Sequence, residues 1–149
     1  MRLRKNKVYC YITQGDRLLV FRHVNFPEAG VQVPGGTIEP GEALDAAVLR
    51  EAEEETGLRD LALVGLFREV ERDMSDFGRD EIQHRSFYHL LCEAETPAVW
   101  RHDETISSEG DGPIRFELTW ASLRHETPTL IAGMGDLLPR LLESMGLHE

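Results

Sequence analysis

Apolar positions first gather from Val8 to Thr13, where β-branched and aromatic side chains predict a strand. The polar residues 14–16 (QGD) predict a turn, and Arg17 to Val24 (RLLVFRHV) the return strand of a hairpin. Residues 25–30 (NFPEAG) read as a loop, and Val31 to Val33 as a short strand stopped by Pro34-Gly35-Gly36. A helix is expected from Glu42 to Thr56, with Gly57 where a helix end favours a residue that tolerates positive φ. Leu61 to Val70 and Ile82 to Cys92 predict two more strands, separated by the polar stretch ERDMSDFGRDE. Trp100 to Ile106 and Ile114 to Trp120 alternate as a hairpin around residues 107–112 (SSEGDG). Pro128 to Leu147 predicts a second helix, with Gly133, Gly135 and Pro139 crowding its start. No repeat, linker or low-complexity segment interrupts the pattern, so residues 1–149 are expected to form one α+β domain.

Composition adds little to that class: 41% hydrophobic and 29% charged residues are usual for a globular protein. No apolar run approaches the ~20 residues needed to span a bilayer, and MRLRKNKVYC lacks the apolar core of a signal peptide. No membrane partner is therefore expected. Cys10 and Cys92 sit in separate apolar runs with no metal-ligand spacing, which predicts buried unpaired thiols and a cytoplasmic location. The formal charge of −11, from 27 acidic and 16 basic residues, argues against long nucleic acids, whose affinity for proteins comes largely from Lys and Arg at phosphates. The basic residues Arg2, Arg4, Lys5 and Lys7 are assigned to solubility. A small anionic ligand is compatible with this charge when a divalent cation accompanies it.

The predicted helix carries the chemistry. From Leu44 its apolar face continues through Ala47 and Val48, then Glu51, Glu54 and Glu55, and ends at Leu58. In a simple amphipathic helix the acids lie opposite the apolar stripe, as Glu53 and Glu42 do. Like charges one turn apart destabilise a helix by about 0.2–0.5 kcal/mol per exposed pair, and a hard divalent ion reverses that sign. Two readings follow from the stripe alone: metal binding, or a solvated acidic helix end in which Arg50 pairs with Glu54. The preceding Gly35-Gly36 permits close backbone approach to a ligand. Glycines beside a short strand, a helix N-terminus and a carboxylate stripe together fit a pyrophosphate-plus-metal site.

The spacing is specific. Gly36, five residues, Glu42, seven residues, then Arg50-Glu51-Ala52-Glu53-Glu54-Glu55-Thr56-Gly57-Leu58 resembles the Nudix box, G-x5-E-x7-R-E-U-x-E-E-x-G-U, at every fixed position. Ala52 is small where a larger aliphatic residue is usual. The resemblance implies an α/β/α sandwich around a central mixed sheet. It also implies Mg²⁺-dependent hydrolysis, with Mn²⁺ as the alternative ion, of a nucleoside diphosphate linked to another moiety. By position, Glu51, Glu54 and Glu55 would be metal ligands and Gly36 would offer its carbonyl, with Gly35 and Gly36 forming the phosphate loop. Arg50 would orient Glu51, and Glu42 would be structural, bonded near the helix start. Glu51, Arg50 and Glu54 are the expected catalytic set. Members of the family sometimes recruit a further downstream acid; Glu104, Glu109, Asp111 and Glu117 are candidates here, with Glu104 and Glu117 favoured because they fall on the predicted hairpin.

The substrate is not assigned by the sequence. The proline that ADP-ribose enzymes of the family carry about sixteen residues past the box is replaced by RDMSD, and the tyrosine of many diadenosine polyphosphate enzymes is absent. The signatures of NADH and coenzyme A pyrophosphatases are also missing. Phe26, Phe77, Tyr88 and Trp100 are the aromatics on which a base would stack, against an ordinary role in the core. The six histidines show no ligand spacing. The expected partner is a small nucleotide substrate, and assembly as a homodimer is left open. A non-catalytic nucleotide-sensing domain is the alternative function. An isoprenoid diphosphate isomerase fits less well, because neither cysteine lies in a suitable context.

Overall fold

The computed structural model describes residues 2–104, 114–125 and 127–147. The chain divides into two compact units, residues 1–12 with 34–93 and residues 13–33 with 94–149.

In the first unit, β1 (Leu3–Gln14) enters as a strand whose first residues alternate exposed and half-buried and whose later ones are buried on both faces. β3 (Gly35–Thr37) pairs antiparallel with it, Lys7 opposite Thr37, Val8 opposite Gly36 and Tyr9 opposite Gly35. β4 (Ala62–Asp73) and β5 (Glu81–Leu91) form a long antiparallel pair with register shifts near Gly65 and Phe67, and β5 lies next to β1. Tyr9 and Tyr11 pack on Phe87 at ring separations of 5.5 and 5.4 Å, and Tyr11 meets Phe67 edge-on. α1 (Leu44–Thr56) completes this unit.

Both strands of the β4–β5 pair extend into the stretch expected to be a polar connection, and β1 begins five residues before Val8. The reason is charge pairing across strands. Arg2 bridges Asp73 and Asp80 (the latter at 2.9 Å), Arg4 reaches Glu71 at 3.1 Å, and Lys5 reaches Glu81 at 3.4 Å. Arg2, Arg4 and Lys5 thus make ion pairs with residues distant in sequence, beyond the solubility role expected of them. The connection itself shortens to a single 3-10 turn, Ser75–Phe77, closed by Gly78 at φ 74°.

In the second unit, β2 (Arg17–His23) pairs with Thr13 and Gln14 at one edge and with β7 (Ile114–Ser122) at the other, and β7 pairs with β6 (Val99–Glu104). Residues 107–112, the expected hairpin turn, lie outside the described residues. Val31 to Val33 form isolated bridges rather than a strand: Gln32 meets Phe21 antiparallel and Val31 meets Leu130 parallel, which makes the pairing mixed. The second helix is much shorter than Pro128 to Leu147. A 3-10 turn spans Ile131–Gly133, with Ala132 at φ 56° and Gly133 at φ 74°, and α2 runs only over Leu138–Ser144. Left-handed backbone at two successive residues cannot continue a helix, and Pro139, fixed near helical φ, starts a new one. Among the described residues no helix is long and apolar enough to cross a membrane.

Candidate active site

The helix α1 begins at Leu44 rather than Glu42, capped by Ala43 in extended conformation. It ends where expected, at Gly57 with φ 76°, whose N–H donates to the Glu53 carbonyl. Thr56 reinforces that end: its hydroxyl donates to the Ala52 carbonyl at 2.7 Å and accepts the Leu58 N–H at 3.0 Å. The buried face consists of Ala47, Val48, Glu51, Ala52, Glu55 and Thr56. Two glutamates thus occupy the buried stripe at 9% and 8% exposure, among alanines, valine and threonine. Glu54 differs. It lies at the exposed edge of the stripe, with 45% of its side chain open to solvent, so helical phase misplaced one of the three acids.

What holds two carboxylates inside is the glycine strand. The Gly35 N–H donates to Glu55 Oε1 at 2.6 Å. At Gly36 a Cβ would lie 2.3 Å from the Glu51 carboxyl carbon and 2.4–2.5 Å from its two oxygens, closer than any real Cβ contact. A Cβ on Gly35 would meet the Tyr9 ring at 2.3 Å and the Val8 carbonyl oxygen at 2.5 Å. Each glycine is thus demanded by a different neighbour: Gly35 by the approach to β1, Gly36 by the approach of Glu51.

Arg50 supplies the compensating charge. Its Nε donates to Glu42 at 2.7 Å and Nη2 donates to the same carboxylate at 2.9 Å, a two-pronged contact. Nη1 donates to Glu51 at 2.8 Å and, more weakly, to Glu54 at 3.4 Å. Glu42 also accepts the Glu39 N–H at 3.1 Å, so it ties the loop entering the helix to the helix body. The Arg50 guanidinium, with the Glu39 N–H second, holds the Glu42 carboxyl down to about 2. Arg50 itself is raised above the ordinary arginine value, first by Glu42 and then by Glu51.

Gly35, Gly36, Glu42, Arg50, Glu51, Glu54 and Glu55 therefore meet within one unit. Glu104 and Glu117 belong to the other. Glu117 sits opposite Arg101 in the β6–β7 ladder and pairs with it at 3.3 Å, and Glu104 ends β6 opposite Ile114. Glu109 and Asp111 lie outside the described residues. Of the aromatics, Tyr88 is core and donates to Asp45 at 2.6 Å, Trp100 is half-buried, and Phe26 and Phe77 are exposed, at 56% and 44%. Cys10 and Cys92 are buried and unpaired as disulfides. Lys7, assigned to solubility from the sequence, donates to Thr37 Oγ1 at 2.8 Å across the β1–β3 pair. Its signal is the β1–β3 register, which residue spacing does not carry.

Among the described residues no three His, Cys, Asp or Glu side chains converge in a metal-holding group, and Arg50 engages Glu51 and Glu54. The donor chemistry nevertheless fits a hard divalent ion. A cradle closed to any side chain at Gly36 is filled by carboxylate oxygens, the donors such ions take.

The family model of the NUDIX domain matches residues 3–129. The chain belongs to the Nudix family. Over 82 residues it is 33% identical to an ADP-ribose pyrophosphatase of Methanocaldococcus jannaschii, a match spanning 48% of this chain and 48% of that protein. The chain thus aligns with about half the length of that curated relative. Among solved structures, a MutT NUDIX hydrolase from Burkholderia pseudomallei superposes with TM-score 0.60 at 24% identity, covering 93% of this chain and 98% of that one. The E. coli ORF135 protein does so with TM-score 0.62 at 19% identity, covering 99% and 96%. These likenesses establish the α+β Nudix fold, with its mixed sheet and two helices.

Proposed function

We propose that this Nudix protein is a single-domain pyrophosphohydrolase that cleaves the diphosphate of a nucleoside diphosphate linked to another moiety. The observation that carries this reading is the Gly36–Glu51 cradle, in which a buried carboxylate lies against a backbone that no side chain but glycine permits. Burying two carboxylates on the apolar face of a helix lowers stability, and a fold retains such groups where they have work to do. Glu51, Glu54, Glu55 and the Gly36 carbonyl would hold Mg²⁺, or alternatively Mn²⁺. Such an ion neutralises phosphate charge, polarises phosphorus and acidifies a bound water.

The chain's own groups supply the rest. Arg50 fixes Glu51 through one guanidinium nitrogen while its other edge is locked by Glu42, so it acts as a positioning residue. Glu54 is solvated and held only by a 3.4 Å contact, so it is the member of the set best able to take a proton from an attacking water. Glu104 and Glu117 are secondary candidates for that proton, and Glu117 must first give up Arg101. The two buried thiols favour a cytoplasmic location.

ADP-ribose is the first substrate to test, because the relative from Methanocaldococcus jannaschii is named for it. The missing proline in residues 72–76 weighs the other way, so other nucleoside diphosphate derivatives belong in the same panel. A nucleotide-sensing domain is the second reading, and Arg50 engaging two of the three acids favours it. Incubation with the panel in Mg²⁺, in Mn²⁺ and in EDTA, followed by product chromatography, separates the two. Hydrolysis with either ion and none in EDTA supports the enzyme. Binding without hydrolysis under every condition supports the sensor.

A further inference from the structure

The glycine strand leans on a buried cluster of aromatic and cationic side chains. Tyr9 stands directly opposite Gly35 in the β1–β3 register. A Cβ on Gly35 would lie 2.3 Å from Tyr9 Cδ1 and 2.9 Å from Cε1, so this side of the ring rests on the glycine itself. Tyr9 is held in turn from β5. Phe87 stacks on its ring at 5.5 Å, and the Arg85 guanidinium carbon lies 5.0 Å from the ring centre. Residues two apart on a strand share a face, so both approach Tyr9 from one face of β5. Arg85 is anchored as well: Nε donates to Gln83 Oε1 at 2.9 Å, and Nη2 donates to Met74 Sδ at 3.5 Å. Tyr9, Gln83, Arg85 and Phe87 are all buried.

Gly35 carries a contact that reaches the acids, because its N–H donates to Glu55 Oε1 at 2.6 Å. Glycine has no Cβ to narrow its own φ and ψ, so the direction of that N–H depends on what the residue packs against. The Cys10 N–H, bonded to the Pro34 carbonyl at 2.9 Å, fixes the chain just before Gly35. The Tyr9 ring fixes Gly35. We propose that Tyr9, clamped by Phe87 and Arg85, is a positioning residue for Glu55: its ring seats Gly35, and the seated amide orients the carboxylate toward a divalent ion. The seat stands on packing, and its use for an ion rests on the hydrolase reading. A carboxylate bonded through one oxygen cannot turn freely, so the direction of its other oxygen is set too. Contacts behind a metal ligand typically change metal affinity by about 10–100-fold. The two glycines then serve two acids by different means: Gly36 makes room for Glu51, and Gly35 holds Glu55 through its amide.

The test compares wild type with Tyr9→Phe, Tyr9→Leu and Glu55→Gln, each checked for folding by melting. The amide proton shifts and exchange rates of Gly35 and Cys10 are read by NMR in EDTA, and Mn²⁺ affinity by calorimetry. In wild type the Gly35 amide is expected far downfield and slow to exchange, as a short charge-assisted hydrogen bond requires. Tyr9→Phe, which keeps the ring, should match wild type in both readouts. Tyr9→Leu keeps an apolar core and removes the flat wall. Its Gly35 amide should move upfield, toward the position seen in Glu55→Gln, while the Cys10 amide stays and Mn²⁺ affinity falls about tenfold. An unchanged Gly35 amide in Tyr9→Leu overturns the seat. Equal loosening of Gly35 and Cys10 overturns it too, because that is what a plain core residue would do. A displaced Gly35 amide with full Mn²⁺ affinity overturns the role toward the ion. Should Tyr9→Leu not fold, Phe87→Leu, which loosens the clamp and leaves Tyr9 in place, decides on the same readouts with a partial shift expected. If wild type binds no Mn²⁺, the metal reading of the acids falls, and the Gly35 amide still decides the seat.

Discussion

Two arginine clusters in the first unit use the same chemistry to different ends. At the N-terminal edge, Arg2, Arg4 and Lys5 meet Asp73, Asp80, Glu71 and Glu81, three cations against four carboxylates along a mostly exposed ladder. At the helix, Arg50 meets Glu42, Glu51 and Glu54, and Glu55 accepts the Gly35 N–H. The ladder is nearly balanced in charge and solvated. The helix cluster carries an excess of negative charge, and two of its carboxylates are buried. Carboxylates crowded in this way are costly, and under the proposed function an added cation would offset that cost.

The largest effect expected from breaking the comparison is on turnover. Glu54→Gln should lower kcat by about 10²–10⁴-fold, the range of a lost proton-transfer group. It should leave stability in EDTA equal to wild type or higher, because it removes one like charge from the cluster. Wild type should gain about 2.7 kcal/mol at a hundredfold excess of Mg²⁺ over Kd, and the variant most of that less. Paired melting curves in EDTA and Mg²⁺ check this; a variant that melts lower in EDTA and responds equally to Mg²⁺ would make the acids scaffold.

Next comes Gly36→Ala. Its Cβ would land 2.3 Å from the Glu51 carboxyl carbon, so either Glu51 leaves the cradle or the strand shifts, at about 1–3 kcal/mol for overpacking. Chemical denaturation should show that loss together with a fall in turnover. A stable, active alanine variant would contradict the close packing of Gly36 on Glu51.

A smaller effect appears in acid. Glu42 titrates near 2 in the folded protein against 4.5 ordinarily, so its contribution is fully present above about 4.5 and disappears as pH falls toward 2. Arg50→Met removes the principal cause. The stability gap between wild type and this variant should be widest near neutrality and close between pH 4.5 and 2. A gap constant with pH would mean that Arg50 stabilises by packing. The same variant should lose kcat more than substrate affinity, as expected of a residue that acts through Glu51.

The smallest effect is expected on the other side of the comparison. Arg2→Ala should leave kcat unchanged and shift melting slightly, by less in high salt, since exposed pairs are screened. A fall in kcat would show that the ladder also shapes the site.

Helical periodicity alone brought Glu51 and Glu55 to the apolar face, and Gly57 marked the helix end, because both signals are local. Glu54 was misplaced by the same periodicity, since a face drawn at i+3 and i+4 spans more arc than the neighbouring elements cover. The N-terminal ladder was invisible because Arg2 and Asp73 are brought together by the fold across 71 residues, and charge composition alone reads them as separate surface groups. The second helix was overextended because Ala132 adopts left-handed backbone, which an alanine does not announce. Lys7 was grouped with its neighbours in sequence, yet its partner Thr37 is reached only through the β1–β3 register.

The unequal burial of the acids also bears on how such a chain can drift. Glu54 stands in solvent with one weak contact, so a lineage released from hydrolysis can discard it in a single substitution and keep its fold. Gly36 and Glu51 have no such freedom, because each fills the space that the other defines. A descendant that has become a sensor should therefore retain the glycine and the buried acid long after the exposed one is gone. Within the motif, Glu54 is the position that packing alone does not constrain, whereas Gly36 is held by the fold as well as by any role in the site.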